Sequence, residues 1–191
     1  MIITIAGNVG AGKTALAERL ASELGYESFS MGAIFRGMAE EKGMSIEEFY
    51  KALERDPGLE RETDARQKAF MHAHDTIVVQ GRISWYFAGR SPFRTFNIFL
   101  AVDPTTGAAR AGARRENAGK NPRELLEANA ERERNEKERY RTLYGIEDAA
   151  SQEHYDLVID TSALTEDEVF DTVLQKVRAR IGEAEKEGPL S

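Results

Sequence analysis

Two hydrophobic periods alternate along this chain. Residues 2–6 are a β-branched run closed by Gly7, which predicts a buried strand. Leu16, Ala17, Leu20, Ala21 and Leu24 then recur at helical spacing and stop at Gly25. Residues 27–30 suit a short strand, and 31–42 suit a helix ended by Gly43. Ser45, with Glu48 three positions on, forms a capping box for a helix to about residue 55. Pro57-Gly58 is expected to break the chain before a helix over 60–73. Strands follow at 76–79 and 96–102, ending at Gln80-Gly81 and Asp103-Pro104. Helices are expected over 105–116 and 123–144, separated by Gly119-Lys120-Asn121-Pro122. The last strand is 157–159, and Thr165 with Glu168 caps a helix running to about residue 181.

Strands that alternate with helices predict an α/β fold: a five-stranded parallel sheet with helices on both faces. Ligands bind such sheets at the carboxyl ends of the strands. Attention therefore falls on 7–14, 30–36, 80–82, 103–115 and 160–162. The length, 191 residues, suits a single domain over 1–181, with 182–191 as a frayed polar tail. The net charge of −7 disfavours nucleic acid as a partner. No apolar run approaches the ~20 residues of a membrane span, and the first residues lack a basic leader. A cytoplasmic protein without membrane partners is expected, as a monomer. The absence of cysteine excludes a disulfide scaffold and thiol chemistry, and three histidines make a poor metal centre.

Gly7-Asn8-Val9-Gly10-Ala11-Gly12-Lys13-Thr14 matches G-x-x-x-x-G-K-[ST] in full, between a predicted strand and a predicted helix. Backbone N–H groups of such a loop surround phosphates at a positive helix terminus. Lys13 should reach the β/γ-phosphates of ATP, and Thr14 should offer its hydroxyl to Mg²⁺. The fold expectation becomes that of a P-loop NTPase. A GTPase would need N-K-x-D, and a motor ATPase a hydrophobic run ending in Asp-Glu; neither is present.

Ser30-Met31-Gly32-Ala33-Ile34-Phe35-Arg36 follows the second strand. Gln80-Gly81-Arg82 follows the third, and Arg110, Arg114 and Arg115 cluster after the fourth. Arg132-Glu133-Arg134-Asn135-Glu136-Lys137-Glu138-Arg139-Tyr140 repeats an arginine–acid–arginine pattern. On these segments, and on Tyr144-Gly145-Ile146 and 155–162, the chain resembles the cytidylate kinases of the nucleoside monophosphate kinase family, their archaeal branch above all. The resemblance implies transfer of the γ-phosphoryl of ATP to CMP or dCMP, with small-molecule nucleotides as partners and Mg²⁺ as cofactor. It implies that Ser30, Gly32, Phe35, Arg36, Arg82, Glu136 and Arg139 hold the monophosphate. Lys13, Arg110, Arg114, Arg115 and Arg132 would act on the transferring group, from a helical arginine-rich lid at about 110–140. The physics agrees: crowded phosphate charge needs converging cations, and ten of the 26 basic residues lie within 110–144. A kinase for AMP, UMP or a small metabolite, and a nucleotide-binding regulator with little turnover, remain open beside it.

The chain departs from the family at its acids. Gln80 stands where the family has a carboxylate at the strand end, and neither Ser30 nor Ala33 supplies the acid of the second loop. An amide can accept from a metal-bound water but brings no charge, so weaker use of Mg²⁺ is expected. Asp103 could substitute, although Asp-Pro reads more simply as a helix start. Trp85 suits the core and the substrate site equally.

Overall fold

The computed structural model describes residues 1–113 and 121–188. Five strands form one wholly parallel sheet: β1 (Ile2–Gly7), β2 (Glu27–Ser30), β3 (Ile77–Gln80), β4 (Thr95–Ala101) and β5 (Leu157–Asp160). Their spatial order is β2-β3-β1-β4-β5. The first strand is therefore central, in register with β3 from Ile2↔Ile77 and with β4 from Ile2↔Thr95. All six of its residues are buried, as a strand covered on both faces requires. The chain leaves β1 toward β2 and β3 on one side and later fills β4 and β5 on the other. A crevice opens at that switch point, at the carboxyl ends of the strands.

Helices α1 (Lys13–Leu24) and α8 (Glu166–Glu187) cover one face. There Leu16, Leu20, Phe170, Val173 and Val177 pack on Ile3, Ile5, Ile98 and Leu100. The other face carries α4 (Pro57–Ala73), α5 (Ser84–Ala88) and α7 (Pro122–Tyr144), where Met71, Phe87 and Tyr140 meet Ile2, Ile77 and Val79. A third cluster joins α2 (Met31–Glu41), α3 (Ile46–Leu53) and α4 through Met38, Phe49, Leu53 and Leu59. Among the described residues no helix is long and apolar enough to cross a membrane.

Both capping boxes form, at Ser45–Glu48 and Thr165–Glu168. Several expected boundaries need correction. Pro57-Gly58 opens α4 rather than breaking the chain before it, because Asp56 caps the helix and proline suits its first turn. Helix α6 covers Pro104–Gly112, and the expected lid residues Arg114 and Arg115 lie outside the described residues. The last helix passes residue 181 and runs to Glu187: Arg94, beside β4, pairs with the Glu187 carboxylate and donates to the Gly188 carbonyl at 3.0 Å. Helix α5 and a short 3₁₀ turn at Gln152–His154 have no counterpart in the sequence reading.

Candidate active site

Residues 7–14 turn β1 into α1. Asn8 ties the loop to β4: its N–H donates to Leu100 O at 3.1 Å, and its Oδ1 accepts from Val102 N at 3.3 Å. Gly10 has φ +81°, and a Cβ there would stand 2.1 Å from Gly107 O of α6. In return a Cβ on Gly107 would meet Val9 O at 2.5 Å. The loop therefore rests directly on α6, and Gly107 is a structural partner that no motif announced. Ala11 is buried beneath it. Lys13 Nζ bends back to donate to Gly7 O at 2.9 Å and Asn8 O at 2.6 Å, which stations its charge above the loop.

Thr14 Oγ1 donates to Gln80 Oε1 at 2.9 Å. The Thr14 hydroxyl and the Gln80 amide oxygen therefore lie side by side, and both are neutral. Hard oxygens suit Mg²⁺, but among the described residues no group of three acids or histidines could hold an ion. Asp103 does not substitute. Its Oδ1 accepts from Thr105 N at 3.1 Å and Thr106 N at 3.0 Å and from the Thr105 hydroxyl, capping α6. The bonds from Thr105 and Thr106 hold its carboxyl well below the usual range.

Across the crevice, α2 starts directly after β2. Around Gly32, a Cβ would find Arg36 Nη1 at 3.2 Å and Ser30 Oγ at 3.3 Å, so both groups converge over this glycine. Arg36 is exposed and has no hydrogen-bond or ion-pair partner among the described residues, leaving its fork available to a phosphate. Phe35 sits beside Phe49 (ring centroids 6.3 Å apart) and Tyr50 (5.7 Å), so it joins α2 to α3. Trp85 stacks on His154 at 3.9 Å.

Arg82, after β3, pairs with Glu136 of α7 at 2.7 Å and lies 3.7 Å from Glu133. These side chains line a cavity of roughly 200 Å³ together with Gly7, Asn8 and Tyr140. Arg139, Glu136 and Tyr140 form one electrostatic group on α7. Arg110 sits elsewhere: its guanidinium donates to Thr161 Oγ1 at 3.3 Å, Thr161 O at 3.0 Å and Ser162 O at 3.4 Å, at the end of β5. Arg132 falls on α7, but its side chain lies outside what is described. Arg123 and Arg141 pair with Glu127 and Glu138 of their own helix, as on a solvated face.

The sequence reading missed one further cluster. Glu60 of α4 is only 6% exposed, and Asp64 lies one turn later. The Tyr144 hydroxyl stands 3.2 Å from Glu60 Oε1 and 2.7 Å from Asp64 Oδ1. Burial pushes both carboxyl pKa values up. Glu60 Oε2 and Arg139 Nε are buried without a hydrogen-bond partner among the described residues. An orphaned buried polar group of this kind costs about 1–3 kcal/mol.

A parallel sheet with a phosphate-gripping loop at its switch point, a free arginine beyond β2 and a charged helix across the crevice defines a P-loop kinase acting on a small phosphate acceptor. The fold agrees: shikimate kinase from Bacteroides thetaiotaomicron superposes with a TM-score of 0.61 at 16% identity, covering 95% of this chain and 98% of that one. The model of the cytidylate kinase-like family matches residues 2–163, and the chain belongs to that family. It is 38% identical over 169 residues to cytidylate kinase of Thermoplasma acidophilum, covering 88% of each. It is also 38% identical over 177 residues to that of Methanopyrus kandleri, covering 89% of each.

Proposed function

We propose that this protein is an ATP-dependent cytidylate kinase, moving the γ-phosphoryl of ATP to CMP or dCMP to give ADP and the diphosphate. The observation that carries the reading is the pairing of a complete phosphate loop with a second anion cradle at Ser30, Gly32 and Arg36 on the facing side of one crevice.

The chemistry needs positioning and charge compensation more than covalent help. Backbone N–H groups of residues 8–14 would cradle the donor phosphates at the start of α1. Lys13 would leave the carbonyls of Gly7 and Asn8 for the β- and γ-phosphate oxygens, a move within one flexible side chain. Ser30, Gly32, Arg36 and Arg82 would orient the acceptor phosphate so that its oxygen lies in line with the γ-phosphorus. Arg139 and Glu136 belong to the acceptor side; by the family resemblance Arg110, Arg114, Arg115 and Arg132 would act on the transferring group, Arg110 after leaving its bonds to Thr161 and Ser162. No covalent intermediate is required.

Thr14 and Gln80 would hold Mg²⁺, directly or through water; bound there, it would neutralise the β- and γ-phosphate oxygens. Because both donors are neutral, most of the attraction for the ion must come from ATP itself. Gln80→Glu restores a carboxylate 2.9 Å from the Thr14 hydroxyl. It is expected to lower the Mg²⁺ concentration for half-maximal rate by roughly threefold to tenfold, the scale of one added charge near a partly solvated cation. A titration of rate against Mg²⁺ at fixed ATP checks this, and an unchanged midpoint refutes it.

The function is tested by ADP release from Mg·ATP with CMP, dCMP, UMP, AMP and GMP as acceptors. Transfer stimulated by CMP or dCMP above the others is expected. Preference for AMP or UMP would make it a different monophosphate kinase. Binding of ATP with no acceptor-stimulated release would leave a nucleotide-binding regulator.

A further inference from the structure

The cavity between the phosphate loop and α7 is lined by two cations, Arg82 and Lys137, and three acids, Glu133, Glu136 and Asp148. Arg82 is already engaged. Its Nε lies 2.7 Å from Glu136 Oε2, and its Nη1 lies 3.7 Å from Glu133 Oε1. Lys137 is exposed and has neither a hydrogen bond nor an ion pair among the described residues. Yet it follows Glu133 by four positions on α7, with the acid on the N-terminal side, the order in which such a pair attracts best along a helix. Elsewhere on α7 neighbouring charges do pair, Arg123 with Glu127 and Arg141 with Glu138. Here the acid reaches to Arg82 instead and leaves the lysine unpaired.

The two acids hold Arg82 differently. Glu136 is close, and its side chain is 11% exposed; Glu133 is farther away and 43% exposed. Glu133 also borders a second cavity of roughly 150 Å³, with Val9, Ala108 and Leu126, so there is room for it to move. A guanidinium grips phosphate with two N–H groups that point the same way. With Nε on Glu136, the Nη1–Nη2 end of Arg82 must serve, and Glu133 stands at Nη1. A phosphate arriving there meets a carboxylate at close range, and the two repel. Glu133 therefore has to leave before the fork closes on phosphate. At helical spacing from it lie Asn129, Ala130, Glu136 and Lys137, of which the lysine alone is a cation.

We propose that Glu133 passes from Arg82 to Lys137 when the acceptor phosphate binds, an inference that rests on the monophosphate kinase function above. The phosphate takes the Nη1–Nη2 end of Arg82. Glu136 keeps Nε and with it the aim of the guanidinium. Glu133 swings along α7 onto the Lys137 ammonium. The lysine thus lowers the cost of freeing Arg82 and cancels a negative charge that would otherwise remain beside the bound phosphate. Glu133 and Lys137 are positioning residues, since neither touches the phosphate.

The test is the acceptor KM in Lys137→Met, Glu133→Gln and the double variant, with CMP or whichever monophosphate the wild type phosphorylates fastest. Both side chains are exposed, so Tm is expected to stay within about 2 °C of wild type. Lys137→Met keeps the length of the side chain and loses its charge. It is expected to raise the acceptor KM by about threefold to tenfold, with kcat and the KM for ATP changed less than about twofold. Lys137→Arg, which keeps the charge, is expected to hold the acceptor KM within about twofold of wild type. Glu133→Gln removes the acid that must be moved, so its acceptor KM should equal or fall below that of the wild type. In that background Lys137→Met should change KM by less than about 1.5-fold, because the two residues act through one interaction. A rise that persists in Glu133→Gln would place the lysine on the phosphate itself and overturn the handover. No rise in either background, or a rise in the KM for ATP instead, overturns it as well. A wild type that prefers AMP or UMP overturns the choice of CMP while the same variants still decide the handover, which concerns the phosphate and not the base. A wild type that transfers to no monophosphate overturns the kinase reading, and this proposal with it.

Discussion

Lys13→Ala lowers kcat by about 10³-fold or more while leaving the fold intact. The side chain contributes one charge at the point where donor phosphates crowd, and preorganised cations there act mainly in the transition state. Three decades of rate correspond to about 4 kcal/mol of barrier. Stability has little to lose. Lys13 Nζ donates to the loop carbonyls of Gly7 at 2.9 Å and Asn8 at 2.6 Å, and water can satisfy those carbonyls once it is gone. Single-turnover ADP formation, read beside a thermal melt, checks both halves. A variant that keeps its rate would remove Lys13 from the donor site, and one that fails to fold would make its loop contacts structural.

The second large effect is expected at Gly10. Alanine there must adopt φ +81° and place its Cβ 2.1 Å from Gly107 O. The left-handed conformation alone costs about 1–2 kcal/mol. The overlap must then push the loop off α6. We expect ATP affinity to fall by roughly 100-fold and the Tm by about 4–10 °C, from 2–3 kcal/mol in a chain of this size. Gly12 supplies the control. Its φ is +87°, but nothing lies within 4 Å of a Cβ there, so Gly12→Ala carries the torsional penalty without the collision. Calorimetric melts and ATP titrations of the two variants separate these causes. Equal stability losses in both would show that the loop does not depend on its seat against α6.

How much of this was legible in the sequence follows from distance along the chain. The phosphate loop was readable because its eight residues are contiguous and their spacing is dictated by phosphate chemistry. Both capping boxes were readable because Ser45–Glu48 and Thr165–Glu168 close within one turn. The end of α8 was not, because Arg94, on another element, joins Arg180 of the same helix in pairing with Glu187. Helix α5 has five residues, too few to show a period. The Glu60–Asp64–Tyr144 group was hidden for the same reason as Arg94: its acids lie 80 and 84 residues from the hydroxyl that joins them. Glu136 on the charged α7 looked equally like surface or site. Only its approach to Arg82 at 2.7 Å placed it on the wall of the cavity.

The central position of β1 also has a kinetic side. It is the first strand to be synthesised, yet its two neighbours begin at Ile77 and Thr95. At about 5–20 residues per second, some 75 residues of synthesis separate Ile2 from its first partner, a wait of roughly 4–15 s. During that time six residues destined for the interior have both edges unpaired, a template for mispairing with other chains. The phosphate loop waits longer, since its seat is formed by Leu100, Val102 and Gly107. A motif that is local in sequence is thus non-local in folding. The nascent chain has to carry residues 7–14 unshaped until the fourth strand and the helix behind it have emerged, so the part of the molecule that grips phosphate is among the last to become native.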